Sequence, residues 1–223
     1  MTALTRLEIA RRAARDIPDG ACVNLGVGIP GLVAGCIDDG REVLIHSENG
    51  VLGVGPPPRP GEEDPDVCDA SKKPITLLAG ASVFSHSESF LIIRGSHIDL
   101  CLMGAFQVSA RGDLANWKTA GSERAPAVGG AMDLAMGAKR IWVLMEHVQK
   151  NGTPRILQQC TYPLTASGVV HRIYTDLSVI DVTADGLVVR EMHESTSAHE
   201  LQSLTGASLR FAADCRQLRA EAA

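Results

Sequence analysis

The sequence predicts an α/β chain built on an open, largely parallel twisted sheet, with helices on both faces and a mixed hairpin edge. Two observations carry this. Short apolar strand signals alternate with helical periodicity over the first ~145 residues, the pattern of a parallel sheet with helical crossovers. Turn dipeptides between shorter apolar runs then dominate the remainder, which is the pattern of hairpins. The 223 residues show no repeat and no linker, so 1–223 is expected to be a single domain.

Each element has a local reason. Leu4, Leu7, Ala10, Ala13, Ala14 and Ile17 recur at helical spacing, and Thr5-x-x-Glu8 forms a capping-box pattern. Asp19-Gly20 ends that helix, and Ala21–Leu25 reads as a short buried strand. A helix is expected from Pro30 to Ile37, because proline suits a first helical turn. Asp39-Gly40 is a turn before a second strand, Glu42–Ser47, which stops at Glu48-Asn49-Gly50. Residues 55–66 hold five prolines and read as a surface loop. Ile75–Leu78 and Ile98–Met103 are strand-like, with a helix at Glu88–Arg94 between them. Val108–Trp117 turns at Arg111-Gly112-Asp113. Ala131–Ala138 is a small-residue helix and Arg140–Glu146 an apolar strand. Arg172–Thr183 turns at Asp185-Gly186 into Leu187–Met192, and Ser197-x-x-Glu200 caps a last helix ending near Gly206.

Composition excludes several classes. Hydrophobic residues make up 45% and the net charge is −5, so the chain is neither disordered nor a global nucleic-acid binder. No apolar run reaches the ~18 residues of a membrane span. The stretch Met1–Ile17 is broken by charge and has no secretory pattern, so a cytoplasmic protein is expected. The six cysteines form no C-x-x-C motif and are expected as free thiols. The seven histidines show no metal spacing, and no metal is expected.

Several constellations could carry chemistry. Gly26-x-Gly28-x-x-Gly31 follows a strand and opens a helix, as a dinucleotide fingerprint does. Pro30 inside it and the short helix after it argue instead for a tight strand-to-helix turn. Glu48-Asn49-Gly50 places a carboxylate at the end of an apolar strand, where open α/β sheets bind ligands. It reads equally as an ordinary Asn-Gly turn. Asn24 puts an amide inside the first strand, which is either a satisfied structural group or a donor at the mouth of the sheet. Gly129-Gly130 offers backbone N–H groups at a helix start, for an oxyanion or for close packing. Glu146-His147 ends another strand and is a second candidate pair. Lys72-Lys73 are a solvated pair or face an anion.

Taken together, these segments resemble the catalytic subunit of two-subunit 3-oxoacid CoA-transferases. The resemblance rests on Asn24-Leu-Gly-Val-Gly-Ile-Pro30, Ser47-Glu-Asn-Gly-Val-Leu-Gly-Val-Gly-Pro56, Arg94-Gly-Ser-His-Ile-Asp99 and Gly104-Ala-Phe-Gln-Val-Ser109. It continues through Gly112-Asp-Leu-Ala-Asn-Trp117, Gly129-Gly-Ala-Met-Asp133, Met145-Glu-His147 and Cys160-Thr-Tyr-Pro-Leu-Thr165, in the family order over roughly 5–211. It implies the open sheet shared with ribose-phosphate isomerases. It makes Glu48 the nucleophile and gives oxyanion stabilisation to Asn24 and the Gly129 amide. Gly28, Asn49, Gly50, Lys72 and Gly130 are then expected along the path of coenzyme A, the substrate and covalent intermediate. The implied partner is the family's other CoA-transferase subunit, of the A type, in an α₂β₂ heterotetramer. The segments Ala105–Ser109, Thr161–Pro163 and Ile173–Leu177, with His46, are similar to 3-oxoadipate enzymes. This implies succinyl-CoA as donor and 3-oxoadipate as acceptor. The chain departs from the family at Ser96, Asp69 and Ser71.

Overall fold

A computed structural model describes residues 3–38, 40–119, 121 and 127–219. Asp39, half of an expected turn, lies outside them. Helix α1 spans Arg6–Asp16, with the Thr5/Glu8 capping box formed, and it buries Ile9, Ala10, Ala13 and Ala14. Strand β1 (Cys22–Leu25) leads into a 3-10 helix over Pro30–Cys36. An α-helix was expected there. Gly31 and Gly35 weaken helical propensity, and no side chain caps the N-terminus, so the segment settles into the tighter 3-10 form.

Strand β2 (Leu44–Ser47) turns at Glu48-Asn49-Gly50 into an unexpected strand, β3 (Val51–Val54), which pairs with it antiparallel. Strand β4 (Leu77–Val83) pairs with β3. Helix α2 (His86–Arg94) begins two residues before the expected start, because Ser85 and Glu88 form its capping box. Strand β5 (Leu100–Met103) follows. A small separate sheet holds β6 (Gln107–Ser109), β7 (Leu114–Ala115) and β9 (Ile156–Leu157), with the Arg111-Gly112-Asp113 hairpin turn as expected. Helix α3 is Ala131–Gly137 and β8 is Ile141–Leu144. The run expected as one strand over 172–183 is two, β10 (Val170–Tyr174) and β11 (Ser178–Thr183). Strand β12 (Gly186–His193), helix α4 (Ala198–Ser203) and strand β13 (Leu209–Leu218) complete the chain.

The main sheet has ten strands in the order β13-β12-β11-β10-β8-β5-β1-β2-β3-β4. Its five central strands, β10 to β2, are parallel to their neighbours. Both flanks are reached through antiparallel pairs. The fold class is therefore as expected, with mixed pairing at two edges rather than one. The central strands are buried on both faces: β5 and β8 read Leu-Cys-Leu-Met and Ile-Trp-Val-Leu, without a solvent-facing alternation. No helix among the described residues is long and apolar enough to cross a membrane. Chain order reverses at β1, because β2 lies on one side of it and β5 on the other. In sheets of this kind the crevice at the carboxyl end of such a strand is where ligands bind.

Candidate active site

That crevice is a cleft of about 650 Å³ at the carboxyl ends of β1, β2, β5 and β8. Glu48 enters it from the β2–β3 turn. The Gly50 amide closes that turn on the Ser47 carbonyl at 3.0 Å. The turn and the functional reading of Glu48-Asn49-Gly50 are thus compatible, since a hairpin turn is what holds the carboxylate at the strand end. Glu48 is half-buried, and desolvation raises its pKa above the ordinary glutamate value. Nearby His86 pulls the other way and Asp133 adds to the rise. Gly129 and Gly130 line the cleft opposite, at the start of α3. A Cβ on Gly130 would overlap Glu48 Oε2 and press on the Phe90 ring. The missing side chain at 130 is what lets the carboxylate occupy its place.

Asn24 sits in the cleft floor and is buried. The parallel register sets Asn24 beside His46 on β2 and Cys101 on β5. Its amide nitrogen lies 3.1 Å from His46 Nδ1 and donates to the His46 carbonyl at 3.2 Å. Its oxygen receives the Cys101 thiol at 3.8 Å. His46 Nε2 meets Ser89 Oγ of α2 at 3.0 Å, and burial lowers the His46 pKa to about 4, so the ring is neutral near pH 7. A neutral ring accepting at Nδ1 donates from Nε2, which fixes the whole row from β1 to α2.

The other expected site residues fall in different places. Gly28 lines the cleft and Gly26 lines it beside Gly28. Gly26 lets β1 run close to β5, and its amide donates to the Leu102 carbonyl at 2.8 Å. No α-helix follows these glycines, so the helix N-terminus that a dinucleotide pyrophosphate requires is missing from the segment. Asn49 is exposed and its amide donates to the Cys68 carbonyl at 2.8 Å, pinning the proline-rich loop. Gly50 faces the chain itself: a Cβ there would overlap the Phe84 carbonyl, and its φ of 116° suits glycine. Lys72 is an exposed turn residue with φ 62°. The cleft is lined instead by its neighbours Ala70 and Ser71. The structure therefore brings Glu48, Asn24, Gly28, Gly129 and Gly130 together and leaves Asn49, Gly50 and Lys72 outside. The Asp69 departure has a local role, because its carboxylate receives the amides of Ser71 and Lys73.

Sequence reading did not pick out Arg6 and Arg155, both of which line the cleft. They converge on Glu146 at the end of β8. Arg6 donates from Nε and Nη2 to Oε1 at 3.1 and 2.9 Å, and Arg155 Nη2 lies 3.4 Å from Oε2. Neither arginine sits in a motif, and the two are 149 positions apart in the sequence, so only the fold brings them together. His147, the other half of that candidate pair, is fully buried between Thr175 and Thr205 and holds β8 to the β10–β11 turn and α4. Among the described residues no cluster could hold a metal ion.

Comparison with known proteins fits this geometry. The family described as Coenzyme A transferase matches residues 6–203. The chain is 52% identical over 206 residues to the B-subunit of 3-oxoadipate CoA-transferase from Acinetobacter baylyi, covering 92% of this chain and 95% of that protein. It is 42% identical to the B-subunit of succinyl-CoA:3-ketoacid coenzyme A transferase from Helicobacter pylori, covering 91% and 97%. The apoenzyme of the acyl-CoA transferase YdiF from Escherichia coli O157:H7 shares the fold, with TM-score 0.76 at 18% identity. That match covers 96% of this chain and 43% of YdiF.

Proposed function

The chain belongs to the coenzyme A transferase family, and from that premise we propose that it moves coenzyme A from succinyl-CoA to 3-oxoadipate through a thioester on Glu48. The reading is supported above all by one observation: a half-buried carboxylate at the mouth of the sheet, fitted against a glycine that leaves room for it.

The chemistry follows from what must be preserved. A thioester has to pass between two acids without loss to water. Glu48 attacks the succinyl carbonyl, and the C–S bond breaks to give a mixed anhydride and CoA thiolate. The thiolate then attacks the Glu48 carbonyl, which releases succinate and leaves glutamyl-CoA. The carboxylate of 3-oxoadipate attacks that thioester, giving a second anhydride and thiolate. Attack of the thiolate on the oxoadipyl carbonyl forms 3-oxoadipyl-CoA and regenerates Glu48. This is covalent, ping-pong catalysis. Partial burial suits it, since a desolvated carboxylate is a stronger nucleophile, and a companion subunit closing over the cleft would spare the anhydride.

Each tetrahedral intermediate needs donors for its oxyanion, and one well-aimed donor is worth about 10²–10³ in kcat. The Gly129 amide is the first. Asn24 is the second, and it serves by giving up its longer bond, the 3.2 Å contact with the His46 carbonyl. Gly28 and Gly130 let the substrate pass close to backbone. A companion subunit of the A type supplies the rest of the coenzyme A site in an α₂β₂ assembly, and the reaction takes place in the cytoplasm. The test is mass spectrometry of the assembled enzyme after exposure to succinyl-CoA without acceptor. A coenzyme A adduct on the peptide holding Glu48 is expected. An adduct on another residue, with Glu48 unmodified, rejects the assignment.

A further inference from the structure

Resting on the reading that the acceptor is a dicarboxylic 3-oxo acid, we propose that Arg155 grips the acceptor's second carboxylate and is the residue that sets specificity for it. Four observations carry this. Arg155 lines the same cleft as Glu48. Its Nε is buried and has no hydrogen-bond partner among the described residues. A buried guanidinium N–H without a partner is costly, and a ligand that takes it removes the cost.

The remaining contact of that edge is weak. Nη2 lies 3.4 Å from Glu146, beyond the 2.7–2.9 Å of a good charge-assisted bond. Arg6 already holds Glu146 Oε1 through two shorter contacts, so the acid stays neutralised if Arg155 turns away. Asp176, the other acid that acts on Arg155, is tied to the His147 amide at 2.7 Å and does not line the cleft. Nε and Nη2 form one edge of the guanidinium, and that edge binds a carboxylate through two parallel bonds.

The spacing fits as well. Glu48 ends β2 and Glu146 ends β8, with β5 and β1 between them. Three strand spacings are about 14 Å. That separation leaves room along the shared cleft for a six-carbon diacid between a glutamate on one side and an arginine on the other. A four-carbon 3-oxo monoacid ends in a methyl group and leaves the Arg155 end empty.

The experiment uses the enzyme assembled with its companion chain, and compares 3-oxoadipate with 3-oxohexanoate, which has the same length and no second carboxylate. The ratio of their kcat/KM values is measured for wild type, Arg155→Gln and Arg155→Lys. Loss of one member of a buried charged pair is expected to lower that ratio at least ~30-fold in Arg155→Gln, with Arg155→Lys intermediate. An unchanged ratio overturns the proposal, and so does a parallel fall for both acids, which would mean a structural role. Arginine modification of the wild-type enzyme by phenylglyoxal gives a result even if the variants do not assemble. Adipate should protect the Arg155 peptide and hexanoate should not; equal labelling overturns the proposal. A wild-type enzyme that forms the Glu48 adduct but shows no preference for the diacid overturns this inference alone. An enzyme that forms no adduct rejects the transfer reading on which it rests.

Discussion

At the residue scale, Glu48 sets function against stability. Burial raises its pKa, so the folded protein holds a proton on it more tightly than the unfolded chain does. Stability from this group is therefore present at low pH and lost as pH rises through the window above the ordinary glutamate value, ~4.3. Glu48→Gln is expected to abolish transfer and to raise the melting temperature at pH 7. A scanning calorimetry trace unchanged or shifted downward would contradict this. The same shift places the acid limb of kcat/KM for succinyl-CoA above the ordinary glutamate pKa, read from a pH–rate profile. Gly130→Ala tests the fit directly. The atom it meets is the tip of a flexible side chain, so the fold should survive while Glu48 is pushed aside, and ~1 Å of misplacement costs ~10²-fold in kcat. Normal activity in Gly130→Ala would show that the carboxylate works from another position. That Glu48, Asn24, Gly129 and Gly130 share one cleft was legible in the sequence, because each sits in a short motif at a strand end or helix start. Arg155 was not, because a lone arginine before a two-residue strand carries no local signal. The position of Lys72 outside the cleft was not legible, because charge is visible in a sequence and direction is not.

At the element scale, the β2–β3 turn carries Glu48 and tolerates little change. Gly50→Ala adds a Cβ against backbone at a φ of 116°, and a loss of more than about 2 kcal/mol is expected in urea unfolding. His46 and His147 tie elements together as neutral rings, each with its pKa lowered by burial to about 4. Unfolding lets both return to the free value near 6.5, so the unfolded chain binds more protons between those limits. Stability is full above pH ~6.5 and declines as pH falls toward 4. The melting temperature should drop from pH 7 to pH 5, and a flat profile would mean that these rings are already solvated. The parallel strands were readable because burial on both faces leaves unbroken apolar runs. Strand β3 was hidden by Gly53 and by the prolines just after it. Strand β13 was hidden because it joins β12 in parallel, with no tight turn to announce it, and most of it is not buried.

At the scale of the whole molecule, the proposed reaction asks this chain for a nucleophile and an acyl pocket, and no second basic glycine-rich segment for the coenzyme A nucleotide is evident in its sequence. The purified chain alone is therefore expected to show no transfer, and mixing with its companion chain should restore it. Robust turnover by the lone chain would refute that division of labour. The outermost strand, β4, adds a consequence of a different kind. It ends the sheet, and six of its seven residues are exposed, with Leu77, Leu78 and Val83 at 42%, 43% and 70%. An apolar strand with one open hydrogen-bonding edge is a template for clumping. Free copies of the chain are thus expected to self-associate through β4, which light scattering of the lone chain against the assembled one checks. If a companion covers that edge, copies made in excess of it should be the ones that clump, so supply of the two chains would have to be kept in step.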